Sequence, residues 1–276
     1  MPALWSPDPE GLDDGVPPLR ALPALAAVLT VAVLAPGASA EVVPVDPGAK
    51  LSAGKQIVGS GQNLPSMQAE GVYLVGPGPI AQVEAYYSSG AAARDQRQVA
   101  GAALRWTKRW LLETCGGTTP STVRACKAAA VFDMDDTLVS WFPILSSNDP
   151  ALSIDSSRSN EAMATCAAPV IDGTRRLYRS LLALGVTPII ITGRESSHRE
   201  ETERCLDSLG MSEWQSVIMR EPGDARSAAS FKSQARKALE RKGWRIGPSV
   251  GDQISDMAFG HLGHGFLIPN PMYFIP

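Results

Sequence analysis

From Ile80 onward apolar positions recur at helical spacing, and after Cys126 they gather into short runs separated by amphipathic stretches. The first rhythm predicts a short helix over Ile80 to Tyr87 and a break at Ser88-Ser89-Gly90. A longer helix follows from about Ala92 to Thr114, placing Val99, Leu104, Trp106, Trp110 and Leu111 among Arg and Gln. Beyond Cys126, Ala128 to Phe132 reads as a buried strand running into Asp133. Val170 to Leu184 is a helix ended by Gly185, Val186 to Ile191 a strand, and Ser196 to Leu209 a helix ended by Gly210. Gln215 to Met219 is a weaker strand, Ser227 to Lys242 a basic amphipathic helix stopped by Gly243, and Arg245 to Val250 another strand. This alternation predicts an α/β fold: a doubly wound, mostly parallel sheet with helices on both faces and an N-terminal helical extension over residues 79–114. Ligands in such sheets sit beyond the carboxyl ends of the strands.

The segment before this domain has a different character. Twelve of the 22 prolines lie in the first 80 residues, so residues 41–78 read as an irregular leader or linker. Ahead of it, Ala21 to Leu34 form an apolar run preceded by Arg20 and followed by Pro36-Gly37-Ala38-Ser39-Ala40. A positive residue, a short apolar core and a small-x-small end describe a secretory signal over residues 1–40, cleaved near Ala40. The run is too short to span a bilayer comfortably, and no transmembrane segment is expected in the mature protein. Asp8, Glu10, Asp13 and Asp14 stand where a signal carries positive charge, which predicts that translation begins near Val16. The mature chain is then secreted or otherwise extracytoplasmic.

Export changes the meaning of the four cysteines, because disulfides persist in oxidising compartments. Three pairings are open to them. Cys115 and Cys126 bracket a Gly-Gly-Thr-Thr-Pro-Ser loop that a bridge would close, with Cys166 and Cys205 as the second pair; four free thiols are the alternative. No Cys-x-x-Cys spacing supports zinc or thiol-redox chemistry. Of 276 residues, 44% are hydrophobic and 19% charged, which is ordinary for a globular chain. The formal charge is −3, and removing residues 1–40 brings it to zero. A dedicated nucleic-acid binder would carry a basic surplus, so no such role is expected.

The chemistry gathers at the strand ends. The first strand delivers Asp133-Met134-Asp135-Asp136-Thr137, the second Thr192-Gly193-Arg194, and the last Gly251-Asp252-Gln253-Ile254-Ser255-Asp256, while Lys232 lies on the helix between the latter two. Acids at i and i+2 leaving a strand point to the same side, so Asp133 and Asp135 face one site. Asp252 and Asp256 make that site strongly anionic, and a divalent cation with oxygen ligands, magnesium, would relieve the crowding. Each piece alone is common turn punctuation; the ordered combination at successive strand ends is what points to catalysis.

These segments carry a family resemblance. Val131-Phe132-Asp133-Met134-Asp135-Asp136-Thr137-Leu138 resembles the first signature of haloacid dehalogenase superfamily phosphatases. Ile190-Ile191-Thr192-Gly193-Arg194 is similar to the second signature, Lys232 to the third, and Gly251 to Asp256 to the fourth. The closer resemblance is to the secreted class B-like branch, which includes plant acid phosphatases and vegetative storage proteins. Tyr86-Tyr87-Ser88-Ser89-Gly90, Phe231-Lys232-Ser233 with Arg236-Lys237, and Pro269-Asn270-Pro271-Met272-Tyr273 carry that likeness. It covers roughly residues 79–276, expected to form one phosphatase domain that includes the helical extension.

The resemblance implies a secreted, magnesium-dependent acid phosphatase that hydrolyses small phosphomonoesters through an aspartyl-phosphate. Asp133 would be the nucleophile and Asp135 the general acid and then base, its pKa set between its free value and that of the leaving group. Thr192, Gly193 and Lys232 would bind the phosphoryl group. Asp133, the carbonyl of Asp135, and Asp252 would hold magnesium, with Asp256 supporting. Arg194 would hold the acid or the substrate. Trp141 and Phe142 would either stack on an aromatic leaving group or simply pack. His198, His261 and His264 are assigned no chemistry. The segment Leu138 to Pro169 is too short for a large cap, which predicts an open site with a modest lid. The alternatives on the same fold are a non-catalytic storage or binding protein and a phosphotransferase.

Overall fold

The computed structural model describes residues 77–148 and 156–273; the expected signal peptide and nearly all of the expected leader lie outside the described residues. Helix α1 runs over Pro77–Ser88 and α2 over Ala91–Cys115, divided at Gly90, whose left-handed φ of 74° lets the chain turn between them. Helix α1 begins on prolines, which lose no helical hydrogen bond in a first turn.

The four expected strands form in order and a fifth follows them: β1 Ala128–Phe132, β2 Thr187–Glu195, β3 Val217–Arg220, β4 Arg245–Gly251 and β5 His264–Leu267. They form one sheet in the order β3-β2-β1-β4-β5, and every pairing is parallel. The chain winds outward from β1 to β3, then crosses back to β4 and β5, so the order reverses between β1 and β4. That reversal opens a crevice at the carboxyl edge. Along β1, Ala128, Ala130 and Phe132 join one core while Ala129 and Val131 join the other. Both faces are therefore buried, which explains why the strand reads as an uninterrupted apolar run. Helix α2, α6 (Asp172–Ala183) and α7 (Arg199–Ser208) supply Val99, Leu111, Leu177, Leu181 and Leu206 to the first core. Helix α8, Ala228–Arg241, supplies Phe231 and Leu239 to the second.

Five elements differ from the sequence reading. The Thr-Thr-Pro-Ser stretch, expected as a loop, contains α3 (Pro120–Ala125), with the Thr119 side chain accepting from the Thr122 N–H at its start. The lid segment contains α4 (Phe142–Asn148) and α5 (Ser156–Thr165), whose serine-rich sequence hides their tendency. These helices are held by packing: Leu145 and Ala162 meet Val83, Trp141 and Met272 in a small separate core. Strand β5 was too short and glycine-containing to read as apolar. Its Gly265 is required because a Cβ there would press into Met257. The helix expected from Val170 begins at Asp172, since Val170 bridges to Val139 instead.

Two covalent links and one buried cation lock the periphery. Cys115 pairs with Cys126 and Cys166 with Cys205, with Cα separations of 5.5 and 5.3 Å. The first closes the α2–α3 corner, and the second ties the end of α5 to α7. The Arg236 guanidinium is fully buried and donates to the carbonyls of Asp256 (2.7 Å), Ala258 (2.5 Å) and Gly260 (3.0 Å). Burial lowers its pKa to about 10, so it remains a cation at neutral pH. Among the described residues no helix is long and apolar enough to cross a membrane.

The bridge closing the longer loop constrains the unfolded chain more. Replacing Cys166 and Cys205 together by alanine is expected to cost about 2–4 kcal/mol in urea unfolding, more than the same replacement at Cys115 and Cys126. The sequence separations are 39 and 11. The reverse order would mean that native packing, not loop closure, governs the two bridges.

Candidate active site

Strand β1 ends at Phe132, and the Asp133 N–H donates to the carbonyl of Val250 on β4 at 2.9 Å, fixing the aspartate at the crevice. The chain then turns sharply: the Met134 carbonyl accepts from the N–H groups of Thr137, Leu138 and Val139, and Asp136 adopts a left-handed φ of 51°. This turn presents Asp133 and Asp135 to one cavity of about 500 Å³. Gly193, Arg194, Lys232 and Asp252 line the same cavity, from the ends of β2 and β4 and from α8. Four separate stretches of sequence thus meet at one place. Thr192 is fully buried and its Oγ1 accepts from the Arg194 N–H at 3.2 Å, beside Gly193, where a Cβ would meet open space.

Lys232 is the electrostatic centre. Its Nζ donates to Asp133 Oδ1 at 2.7 Å and to Asp256 Oδ1, and all three side chains are buried. Burial opposes the ammonium charge, but Asp133 and Asp256 outweigh it and hold the Lys232 pKa above its ordinary value. Asp256 accepts further from the Gln253 N–H at 3.0 Å. Gly251 is forced by this arrangement, because a Cβ there would land on the Asp256 carboxyl group.

Carboxylates outnumber the ammonium. Ligand oxygens of Asp133, Asp252 and Asp256 all lie within 4.8 Å of one another. Burial pushes the Asp133 carboxyl up to about 7 against the pull of Lys232, with the Asp256 and Asp135 charges adding to the rise. Asp252 is pushed well above its ordinary value by burial and then by Asp133 and Asp256. Asp252 is also positioned by neutral donors: Gln253 Nε2 (2.6 Å), Asn270 Nδ2 (2.7 Å) and Thr137 Oγ1 (3.3 Å). A crowded, all-oxygen donor set with surplus negative charge fits a hard divalent cation such as magnesium.

Asp135 departs from expectation. Its carboxylate is gripped by Arg194, whose Nη2 lies 2.6 Å from Oδ1 and whose Nε lies 2.9 Å from Oδ2, and Trp141 Nε1 adds a third donor at 2.5 Å. Burial raises this carboxyl, yet the Arg194 charge and hydrogen bonds prevail and hold it below its ordinary value. The reading of an acid with an elevated pKa is therefore corrected for this state: every donor favours the ionised form. Arg194 is itself braced by Thr202 Oγ1 at 3.2 Å, which makes it an acid-holding residue here.

Of the two aromatic candidates, Trp141 lines the cavity and Phe142 does not. The Phe142 ring stacks on Tyr87 with centroids 4.0 Å apart and planes within 4°, so it packs the helical extension onto the lid. The lid contributes Leu145, Ser159 and Met163 to the cavity wall. No histidine lines it; His261 pairs with Glu240 at 2.6 Å, and His264 stacks on Trp106. Sequence reasoning gave no role to Asp136, which is buried and accepts from Tyr273 Oη (2.6 Å) and the Trp141 N–H (2.8 Å). Burial pushes it up to about 7 despite those bonds. Nor did it assign Asn270 and Tyr273; their place in a Pro-Asn-Pro-Met-Tyr ending was the available signal.

Comparison with known proteins places this geometry. The chain is 33% identical over 148 residues to acid phosphatase 1 of Solanum lycopersicum, covering 52% of this chain and 58% of that protein. It is 32% identical over 153 residues to vegetative storage protein 1 of Arabidopsis thaliana, covering 53% and 55%. The matches thus span a little over half the length of these curated relatives. In fold it is similar to the class C acid phosphatase of Bacillus anthracis with tungstate bound, with a TM-score of 0.57 at 16% identity, covering 72% of this chain and 86% of the other. The family model for the haloacid dehalogenase (HAD) superfamily, subfamily IIIB (acid phosphatase), matches residues 77–276, and the chain belongs to that family.

Proposed function

We propose that this protein is a magnesium-dependent acid phosphatase that hydrolyses small phosphomonoesters through an aspartyl-phosphate on Asp133. The observation that carries the reading is the Asp133 carboxylate, held by Lys232 through Oδ1 at 2.7 Å in the wall of a cavity it shares with Asp135. In the first half, an Asp133 oxygen bonds to phosphorus as the bond to the leaving oxygen breaks, and Asp135 gives that oxygen its proton. In the second half, Asp135 takes a proton from water, the water oxygen bonds to phosphorus, and the Asp133–phosphorus linkage breaks to release inorganic phosphate. Thr192, the Gly193 backbone and Lys232 bind the phosphoryl oxygens, and Lys232 limits repulsion between the incoming phosphate and the acids. Asp133, the Asp135 carbonyl and Asp252, with Asp256 beside them, would hold magnesium, which would supply positive charge to the phosphoryl group.

Hydrolysis of an aryl phosphate by the chain from Glu41 is expected to require both a divalent cation and Asp133. Asp133→Asn should lower kcat at least about 10³-fold without changing the far-UV circular dichroism spectrum. A folded wild-type protein that binds magnesium and turns nothing over would instead favour the storage reading suggested by the vegetative storage relative.

The Arg194 clamp bears on pH. Because it lowers the Asp135 pKa, the protonated form needed to release the leaving group is populated only toward acid pH, which supports an acid phosphatase. Removing the cation raises that pKa. Arg194→Met is therefore expected to move the falling, alkaline limb of the kcat/KM profile to higher pH, by about one unit or more. An unmoved limb would separate Asp135 from the titration that controls the rate.

Export is part of the same reading, supported by the Ala21 to Leu34 apolar run and by four cysteines all engaged in disulfides. N-terminal sequencing of the exported protein should begin at Glu41; a start upstream of Ala21 would refute cleavage.

A further inference from the structure

The cavity wall holds a cation that the reaction above does not use. Strand β3 ends at Arg220, on the same carboxyl edge as the catalytic strands, and Arg220 lines the cavity with Lys232 and Ala228. Its Nη2 donates to the carbonyl of Asp224 at 3.0 Å and to the carbonyl of Arg226, and the guanidinium lies over the Phe231 ring, 5.7 Å from its centroid. These contacts fix the group in place without neutralising it. The neighbouring acid, Asp224, is engaged by Arg226 through Nε at 2.9 Å and Nη2 at 2.5 Å. The Asp224 carboxylate is thus taken by Arg226, and the Arg220 guanidinium bonds only backbone carbonyls, with no carboxylate paired to it among the described residues. By contrast, the other two cations lining the cavity, Lys232 and Arg194, are each paired with carboxylates. The wall of the same cavity also includes the apolar side chains of Trp141, Leu145 and Met163.

We propose that Arg220 binds a second anionic group, a carboxylate or a further phosphate, carried on the organic part of the substrate. The inference rests on the phosphomonoesterase reading and narrows it to esters whose leaving group combines an apolar body with a second negative charge. A planar guanidinium suits either anion through paired N–H donors, and a site partly shielded from water strengthens the contact. Arg220 touches neither the phosphorus nor Asp133, so its effect is on selection between substrates.

Non-hydrolysable phosphonates test this without depending on turnover. Binding of phenylphosphonate, 4-carboxyphenylphosphonate and 1,4-benzenediphosphonate would be measured by calorimetry in magnesium buffer, on the wild type, Arg220→Gln and Arg220→Lys. The wild type is expected to bind at least one doubly anionic ligand about tenfold more tightly than phenylphosphonate, the scale of one charge-assisted hydrogen bond. That preference should fall to near unity in Arg220→Gln and persist in Arg220→Lys, with unchanged thermal unfolding showing that both variants fold. A preference for the diphosphonate alone identifies phosphate as the second group; a preference for both identifies any anion. Equal binding of all three ligands, or a preference that survives Arg220→Gln, overturns the proposal and leaves the phosphatase reading standing. Failure of all three to bind overturns both.

Discussion

The buried Lys232 ammonium between Asp133 and Asp256 is the interaction on which the rest of the site depends. Taking two carboxylates and one ammonium out of water costs several kcal/mol per ion, and only close mutual contact with full hydrogen bonding offsets it. Much of the surrounding sequence serves that requirement. Gly251 leaves room for the Asp256 carboxyl group, the Gln253 N–H satisfies its second oxygen, and Arg236 ties down the carbonyls of the loop that carries it. Asp252 then adds a third buried carboxylate with only neutral donors of its own. The cluster retains an excess of negative charge, and that excess, more than any single residue, is the physical argument for a divalent cation.

The sheet delivers these groups without long-range contrivance. Parallel strands all end on one edge, so residues immediately after β1, β2 and β4 converge there whatever lies between them in sequence. This is why so much is legible in the sequence: β1, β2 and β4 read as apolar runs, and each ends in polar residues with a chemical use. The order of the signatures along the chain carried the family, and the family model over residues 77–276 agrees with it.

What could not be read has physical causes. Helices α4 and α5 have little intrinsic amphipathic signal, and their stability comes from Leu145 and Ala162 packing on Trp141 and Met272, contacts made across long sequence separations. Phe142 looked equivalent to Trp141 in sequence, but Tyr87 of the N-terminal extension covers it. The protonation preference of Asp135 was misjudged because burial alone predicts a raised pKa, whereas the bidentate contact with Arg194 is a tertiary fact. The bond from Tyr273 to Asp136 joins positions 137 residues apart and leaves no local trace.

The Asp135 clamp also bears on how catalytic and storage proteins share one architecture. Holding Asp133 against Lys232 is a structural need, since removing one partner leaves a buried charge exposed to its like-charged neighbours. Holding Asp135 is different: it pairs the buried Arg194 guanidinium, yet its own side chain stays partly open to the cavity. Arg194, braced by Thr202, and the Trp141 indole nevertheless converge on it with three donor groups. On the proposed phosphatase reading, that convergence orients an ionised acid beside the proposed nucleophile, an arrangement that a storage role would not use. Ordering those long side chains carries an entropic cost, and on the proposed reading an ionised Asp135 is set to take a proton from the attacking water, while giving one to the leaving oxygen requires the protonated form that acid pH populates.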